Sequence, residues 1–453
     1  MNKKIRFRIF LSVSLSALIF SLFCVFGFSD KAGFEIRDFP LQDNDTWVMV
    51  GDSITAQHLH SNYFEAYCYA RFPQWTFHFR NSGVSGDTLP AALARFDWDC
   101  APWKPTVVSV ELGMNDSGAG LDSVTTYINR MKTMTQRIRE LHARPVFFTS
   151  SAVNDGTLSS KIESRNAVLD KYATALGDYA RQENAPFTDQ FHSLLDVWGH
   201  NYLAQVLFRF SDQIQNLPNK SDIPGSNLLA QWTTQWVNSN MAKQGIDLKG
   251  DPVHPGPPGQ LTMCAALLQG LHAPGMVSYA ALNARGKVVE FNQCQITKLK
   301  KEKTGLSFNR LDSCLPLPIP DDARSALVIY PSIADLSQWT LKVLNLKSGN
   351  YEIRMDGKAV VQTSSDQLAL GFNLGTLDKG PVADQCRQIL KLVADKENLV
   401  GQWRAKSAEN AKNPAGKDHL ALVQLNQLVL QADSALHDAA QPKPHHFEIL
   451  LVQ

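Results

Sequence analysis

The segment VGDSITAQ (50–57) places Ser53 directly after an apolar run. Gly, Asp and Ser are common turn and helix-cap residues, so one interpretation of the segment is purely structural. The other is that Ser53 is a nucleophile at the carboxyl end of a strand, where open α/β sheets build their sites. A serine nucleophile also needs a base, an acid that orients the base, and donors for an oxyanion. The rest of the chain must therefore decide between the two interpretations.

Candidates for the base and the acid lie together in the segment GDPVHPGPPG (250–259). Asp251 and His254 are three positions apart, so one turn can bring the carboxylate against the ring Nδ1–H. That contact leaves Nε2 free to take the proton of a serine hydroxyl. Pro255 favours an extended backbone at His254. The alternative is a proline-rich turn that carries a surface histidine.

Two further loops offer donors for an oxyanion. In NSGVSGDTLP (81–90), Gly86 precedes an expected helix start, so its amide lies at the positive end of that helix and has no Cβ to block a substrate. In ELGMNDSG (111–118), Asn115 follows an apolar strand and can offer a side-chain N–H. The backbone N–H of Ser53 is the third candidate. Each loop taken alone is a common turn.

These segments must be positioned by the elements around them. Apolar runs typical of strands alternate with helical patterns along the first part of the chain, which predicts a parallel sheet covered by helices on both faces. The expected strands are 46–50, 76–81, 106–112, 145–150 and 186–191. The expected helices are about 59–71, 88–97, 121–142 and 160–183.

The four segments together are more specific than any one of them. GDSIT, SGDT, GMND and DPVHP occur in this order and resemble blocks I, II, III and V of the SGNH (GDSL-type) hydrolase family. The resemblance covers roughly residues 45–275. It implies a three-layer α/β/α, flavodoxin-like fold with a parallel sheet for a hydrolase domain at 40–275, and it implies neither a cofactor nor a metal.

The resemblance also implies a role for each candidate residue. Ser53 corresponds to the nucleophile, and Asp251 and His254 correspond to the acid and base of a catalytic triad. The oxyanion hole corresponds to Ser53, Gly86 and Asn115. The chain departs from compact members of the family in the stretch 192–248, which we interpret as a mostly helical insertion containing Trp198, Trp232 and Trp236.

Beyond residue 275 the sequence changes to antiparallel β patterning, which predicts a C-terminal β-rich domain over 276–453. A helical segment interrupts this domain at about 381–438. The chain closes on HFEILLVQ (446–453). We expect this last strand to return to the sheet that contains WTLKVLNL and YEIRMDG, because it has no neighbour in sequence to pair with.

The N-terminus has the pattern of a targeting segment. Four basic residues precede a long apolar run, which predicts a signal peptide over 1–28 with cleavage near Gly27. The alternative is an uncleaved membrane anchor, because the run is long for a signal peptide. Either prediction places the body of the protein outside the cytoplasm, secreted to the extracellular space or the periplasm. The formal net charge is +1, which gives no reason to expect nucleic acid as a partner.

In such an oxidising compartment disulfides are permitted. Cys294 and Cys314 flank one β-patterned loop and are the pair we expect, whereas Cys264 lies in an apolar helical run and is expected to be a buried free thiol. His58 and His60 do not face each other on a helix, so a solvated helix start is favoured over a metal site.

The loops beside the four blocks are polar and small, which favours short acyl groups and a wet leaving-group side. We therefore expect a secreted serine esterase for short-chain esters, acetyl esters first, with an acetylated glycan or another small ester as substrate. The alternatives are an acyltransferase of the same fold, a lipase-type long-chain esterase, and a non-catalytic carbohydrate-binding protein.

Overall fold

The computed structural model describes residues 39–153, 160–195, 247–248, 251–413 and 419–452. The expected signal peptide (1–28) lies outside these ranges, as do most of the expected insertion and its residues Trp198, Trp232 and Trp236. Within the described ranges, every helix is too short or too polar to span a membrane.

The first sheet has five parallel strands in the order β2-β1-β3-β4-β5. They are β1 (Thr46–Gly51), β2 (His78–Gly83), β3 (Val107–Glu111), β4 (Arg144–Phe148) and β5 (Phe187–Thr188). In the inner strand β1, Trp47 packs into the core on one face and Val48 into the core on the other. This burial on both faces explains why β1 reads as a continuous apolar run.

The fifth strand is shorter than the expected run 186–191. Asp189 ends it by capping the next helix, since its carboxylate accepts a hydrogen bond from the His192 backbone N–H at 3.0 Å. An aspartate at this position favours the helix start over a longer strand.

Helices cover both faces of the sheet. In the described residues they are α1 (Ser53–Ala56), α2 (His60–Arg71), α3 (Leu89–Asp99), α4 (Val124–Glu140), α5 (Ser160–Glu183), α6 (Gln190–Leu194) and α7 (Pro257–Gly270). Phe64 of α2 and Leu261 of α7 share one buried cluster, and Phe96 of α3 and Met131 of α4 share the other. The expected three-layer α/β/α arrangement is therefore confirmed.

Two further sheets, one of five and one of four strands, follow in the C-terminal part. A two-stranded ladder of β6 (Asp247–Leu248) and β7 (Asp251–Pro255) precedes them. The strands of the two C-terminal sheets are β8 (Met276–Asn283), β9 (Lys287–Asn292), β10 (Cys294–Lys301), β11 (Gly305–Asp312), β12 (Gln338–Leu344), β13 (Asn350–Met355), β14 (Lys358–Ser364), β15 (Phe372–Asn373) and β16 (His445–Leu451). The five-stranded sheet has the order β10-β11-β16-β13-β14, and the four-stranded sheet has the order β15-β12-β8-β9. In the described part of this region four α-helices accompany the sheets: α8 (Ala326–Ile329), α9 (Ser365–Leu370), α10 (Pro381–Lys412) and α11 (His419–Ala439).

The closing strand β16 lies in the middle of its sheet. It pairs antiparallel with β13, the strand formed by YEIRM, as expected, and also with β11. The expectation that the strand formed by WTLKVL lies in the same sheet is wrong, because β12 pairs with β8 and β15 in the other sheet. The two sheets meet instead through side chains, since the rings of Trp339 and Phe447 lie 6.1 Å apart at 80°.

Helices α10 and α11 pack against each other, and α10 also packs on α2, α3 and β2 of the first sheet. The described residues from 39 onward belong to one compact unit. The division into domains at residue 275 stays a prediction, drawn from where the sequence changes its pattern.

The expected disulfide between Cys294 and Cys314 is wrong, because both thiols are free. In the hairpin of β10 and β11 the residue opposite Cys294 is Asp312, so Cys314 lies beyond the paired residues. Cys264 is a buried free thiol, as expected.

Candidate active site

Ser53 begins helix α1 at the carboxyl end of β1. Asp52 caps this helix, because its carboxylate accepts a hydrogen bond from the Ile54 N–H at 2.9 Å. Helix α1 turns back so closely that a Cβ on Gly51 would lie 2.0 Å from Oγ1 of Thr55. The Gly-Asp-Ser order therefore fits a sharp strand-to-helix turn in which the serine is the first helical residue.

His254 lies against this serine. Nε2 of His254 is 2.8 Å from Oγ of Ser53, and Nδ1 is 2.6 Å from Oδ2 of Asp251. A hydrogen on Nδ1 that is donated to the carboxylate leaves Nε2 as the acceptor for the serine hydroxyl. The structure thus brings the three expected residues into one hydrogen-bonded chain.

The carboxylate of Asp251 is oriented by the backbone that follows it. Its Oδ1 accepts hydrogen bonds from the N–H groups of Val253 at 2.8 Å and His254 at 3.2 Å. Partial burial would raise the pKa of Asp251, but these two bonds and the contact with the imidazole outweigh it and lower the pKa. Asp251 therefore stays ionised at neutral pH and can stabilise a protonated His254.

Gly86 and Asn115 lie in the loops that follow β2 and β3, the two neighbours of β1. Gly86 has φ +79°, whereas a Cβ on it would meet nothing within 4 Å. The glycine is therefore required by backbone conformation rather than by lack of space. Among the described residues, the N–H groups of Ser53 and Gly86 have no hydrogen-bond partner, so both can bind a ligand oxygen.

The side chain of Asn115 is held by the Gly86 loop. Its Nδ2 donates to the backbone carbonyl of Asp87 at 2.8 Å, which uses one of the two amide hydrogens. The same loop is tied to the nucleophile turn, because the N–H of Val84 donates to the carbonyl of Gly51 at 3.1 Å. The three loops therefore form one hydrogen-bonded rim at the carboxyl edge of the sheet.

Asp52 lies beneath Ser53 and is buried. Burial is the largest cause that raises the pKa of Asp52 from 3.8 to about 7, and the nearby carboxylate of Glu111 adds to the rise. The hydrogen bond from the Ile54 N–H acts in the opposite direction and lowers the pKa. Asp52 makes no hydrogen bond to Ser53 Oγ or to His254 among those described. Its contacts therefore fit a residue that stabilises the turn.

The expectation of a solvated helix start at His60 is wrong. His60 is 2% exposed, and its ring bonds Gln260 at 2.6 Å through Nδ1 and Glu111 at 3.0 Å through Nε2. Gln260 lies in α7, the helix that follows His254, so this contact ties the start of α2 to the loop of the base. The sequence carried no signal for it, because Gln260 and Glu111 come from distant elements. No group of three or more metal-binding side chains is present in the described part of the chain.

Comparisons with known proteins identify the family of the part of the chain that carries this site. Residues 49–260 match the model of the GDSL-like lipase/acylhydrolase family. This part of the chain belongs to that family, and the protein is an ester hydrolase of the SGNH type. No curated protein matches the chain.

A solved structure shares the fold of this chain. A gut microbial diltiazem-metabolizing enzyme superposes with a TM-score of 0.71 at 19% identity, over 91% of this chain and 99% of that one. A fold that includes the β-rich part and the helical pair is therefore shared with another protein. An acetylxylan esterase from Geobacillus stearothermophilus, solved as a catalytic mutant, matches with a TM-score of 0.34 at 16% identity, over 51% of this chain and 95% of that one.

Proposed function

We propose that the protein is a serine esterase that hydrolyses short-chain esters, acetyl esters first, and that it acts outside the cytoplasm. The observation that carries the proposal is the hydrogen-bonded chain from Ser53 through His254 to Asp251. A nucleophile, a base and an orienting acid in this order are what acyl transfer through a covalent intermediate requires.

In the first half of the reaction, Nε2 of His254 takes the Ser53 hydroxyl proton as Oγ attacks the ester carbonyl carbon. The carbonyl electron pair moves to oxygen, and the N–H groups of Ser53, Gly86 and Asn115 stabilise the resulting oxyanion. When the intermediate collapses, the bond to the alcohol breaks and Nε2 gives its proton to the leaving alkoxide. The product is an acyl ester on Ser53.

In the second half, water replaces the alcohol. Nε2 takes one proton from the water as its oxygen attacks the acyl carbon, and a second oxyanion forms in the same place. Collapse releases the carboxylic acid and returns the proton to Oγ of Ser53. Asp251 keeps the imidazole oriented in both halves, and every proton taken is given back.

The preference for short acyl groups rests on the polarity of the rim. Burying an acyl chain is worth about 0.8 kcal/mol per CH₂, so a long-chain enzyme needs an extended apolar groove. In the described loops after β1, β2 and β3, Leu121 is the one large apolar side chain that is strongly exposed. Asp251 and His254 have side chains 41% and 27% exposed, which leaves the leaving-group side wet and suits a carbohydrate alcohol.

The export part of the proposal rests on the basic and apolar N-terminal segment, and mass spectrometry of the exported protein would locate its first residue.

Substrate class is tested by a chain-length series of p-nitrophenyl esters run beside acetylated xylan, pectin and sialic acid, with Ser53→Ala as the blank. We expect the highest kcat/KM at acetate or propionate. A maximum at about eight carbons or more would contradict the proposal and favour a lipase.

A further inference from the structure

Helix α10 of the C-terminal part reaches the loop of Gly86 through a partly buried arginine, Arg404. Arg404 binds Asp99 with both ends of its guanidinium, Nε at 2.6 Å from Oδ1 and Nη2 at 2.7 Å from Oδ2. Its third nitrogen, Nη1, donates to the carbonyl of Gly83 at 3.0 Å. Gly83 is the last residue of β2, so Arg404 holds the point at which this loop leaves the sheet.

The contact continues through Asp99, whose side chain is fully buried. Oδ2 of Asp99 also accepts hydrogen bonds from Nη1 of Arg95 and from Oγ of Ser82, the latter at 2.7 Å. Arg95 in turn donates from Nε to Oδ2 of Asp87 at 2.7 Å and from Nη2 to the carbonyl of Ser82 at 2.7 Å. Arg404, Asp99, Arg95 and Asp87 thus form a hydrogen-bonded chain of side chains, with no net charge, behind the loop of Gly86.

This chain ends at the expected oxyanion donors. Asp87 directly follows Gly86, and its backbone carbonyl accepts the hydrogen bond from Nδ2 of Asn115. The loop of Gly86 is therefore held on both sides, at Gly83 by Arg404 and at Asp87 by Arg95. Anchoring helix α10 alone would not require a chain of contacts that ends at Gly83 and at Asp87.

The charges in the chain depend on one another. Burial alone would raise the pKa of Asp99, but its hydrogen bond to Arg404 and the nearby Arg95 outweigh burial and lower the pKa. A buried aspartate that loses one of its two guanidinium partners changes its geometry, because the remaining partner must satisfy it alone. Loss of Arg404 would therefore move Arg95 and, with it, the loop of Gly86.

We propose that Arg404 is a positioning residue for catalysis, which acts through Asp99 and Arg95 to orient the donors at Gly86 and Asn115. The proposal rests on the proposed role of these two residues in the oxyanion hole. Donors that bind a developing oxyanion must be oriented before the reaction, and a displacement of about 1 Å costs about 10² in rate.

The test compares three variants of helix α10 in the full-length protein. We expect Arg404→Met to lower kcat by about 10 to 10² fold with KM within about twofold, since the oxyanion exists only in the transition state. Arg404→Lys keeps the charge without the bidentate contact, so it should recover part of this loss. The matched control is Arg387→Met, which removes an exposed arginine that also binds two carboxylates, those of Asp321 and Asp384.

A double-mutant cycle shows whether Arg404 acts through the oxyanion donors. Asn115→Ala alone should lower kcat by about 10². Adding Arg404→Met to Asn115→Ala should then cost clearly less than it costs in the wild type, because both changes disable the same donors. Equal cost in both backgrounds would overturn the proposal, because Arg404 would then act independently of these donors.

The outcomes separate the two proposals. If Ser53→Ala and Asn115→Ala leave turnover intact, the proposed site itself fails. If they abolish or lower turnover while Arg404→Met and Arg404→Lys do not, the positioning role alone fails. If Arg404→Met does not fold, as judged by circular dichroism, Arg404→Lys in the same cycle decides the question.

Discussion

Nε2 of His254 lies 2.8 Å from Oγ of Ser53, although 201 positions separate the two residues in sequence. Ser53 is presented by the turn after β1, and His254 by the short strand β7 before helix α7. The partner of the imidazole on its other side, Asp251, is only three residues away. The base and acid are thus a local pair, whereas the nucleophile is delivered by the packing of two distant segments.

The first prediction concerns this chain of hydrogen bonds. Ser53→Ala and His254→Ala should each lower kcat by about 10³ or more, because the covalent step loses its nucleophile or its base. Asp251→Asn should lose as much or less and should not gain activity. Esterase assays check these values, with unchanged circular dichroism and melting temperature as the control for folding.

A fluorophosphonate probe tests the same assignment by a different route. It should label Ser53 in the wild type, and Ser53→Ala should remain unlabelled, as read by peptide mass spectrometry. Labelling of another serine would assign the nucleophile elsewhere.

The second prediction concerns Asp52, whose pKa burial raises from 3.8 to about 7. A raised carboxyl pKa contributes stability that is fully present below about pH 3.8 and is lost as the pH rises through about 7. Asp52→Asn keeps the oxygen that caps Ile54 but cannot ionise. We therefore expect the stability of the wild type relative to Asp52→Asn to fall between about pH 4 and pH 8.

Urea unfolding at several pH values measures this difference, and other titrating groups cancel because both proteins contain them. A difference that does not change with pH would show that the pKa of Asp52 is the same in the folded and the unfolded protein.

The third prediction concerns His192 at the start of α6. Its hydrogen bond to Asp189, at 2.6 Å, is the largest cause that raises its pKa to about 9, and Asp170, at 2.7 Å from the other ring nitrogen, adds to the rise. A raised histidine pKa contributes stability that is fully present below its ordinary value of 6.5 and is lost as the pH rises through about 9. His192→Gln should therefore melt at a lower temperature than the wild type at pH 6.

The same variant provides its own control at high pH. Near pH 10 the wild-type imidazole is neutral, so the two melting temperatures should converge. A deficit of equal size at both pH values would instead indicate lost packing.

The fourth prediction concerns the closing strand. Phe447 in β16 is fully buried, stacks on Phe308 at 5.2 Å and meets the edge of Trp339. Phe447→Ala should lower the free energy of unfolding by about 3 to 5 kcal/mol. The exposed neighbour His446 is the matched control. His446→Ala should change the free energy of unfolding by no more than about 0.5 kcal/mol.

Truncation before β16 should be more damaging, because it splits the five-stranded sheet and leaves one edge of β11 and one edge of β13 unpaired. A truncated protein whose thermal unfolding profile equals that of the full chain would contradict the central position of this strand.

Much of the site could be predicted from the sequence because its signals are local. Apolar runs alternating with helical periodicity indicate a parallel sheet, and the loops at the carboxyl ends of such strands meet at one edge. Ser53, Gly86 and Asn115 each lie in such a loop. Asp251 and His254 meet within a single short segment, so their contact needs no knowledge of the rest of the fold.

The partners of the buried polar groups, and the neighbours of the strand edges, were decided only by the tertiary structure. Glu111 binds His60, Asp312 lies opposite Cys294, and Arg404 reaches Asp99 from 305 positions away. The sequence determined where elements form and which of their faces are apolar, because propensity and periodicity act over a few residues. The cost of burying a charge or leaving a strand edge unpaired depends on groups brought from elsewhere in the chain, and that information exists only once the chain has folded.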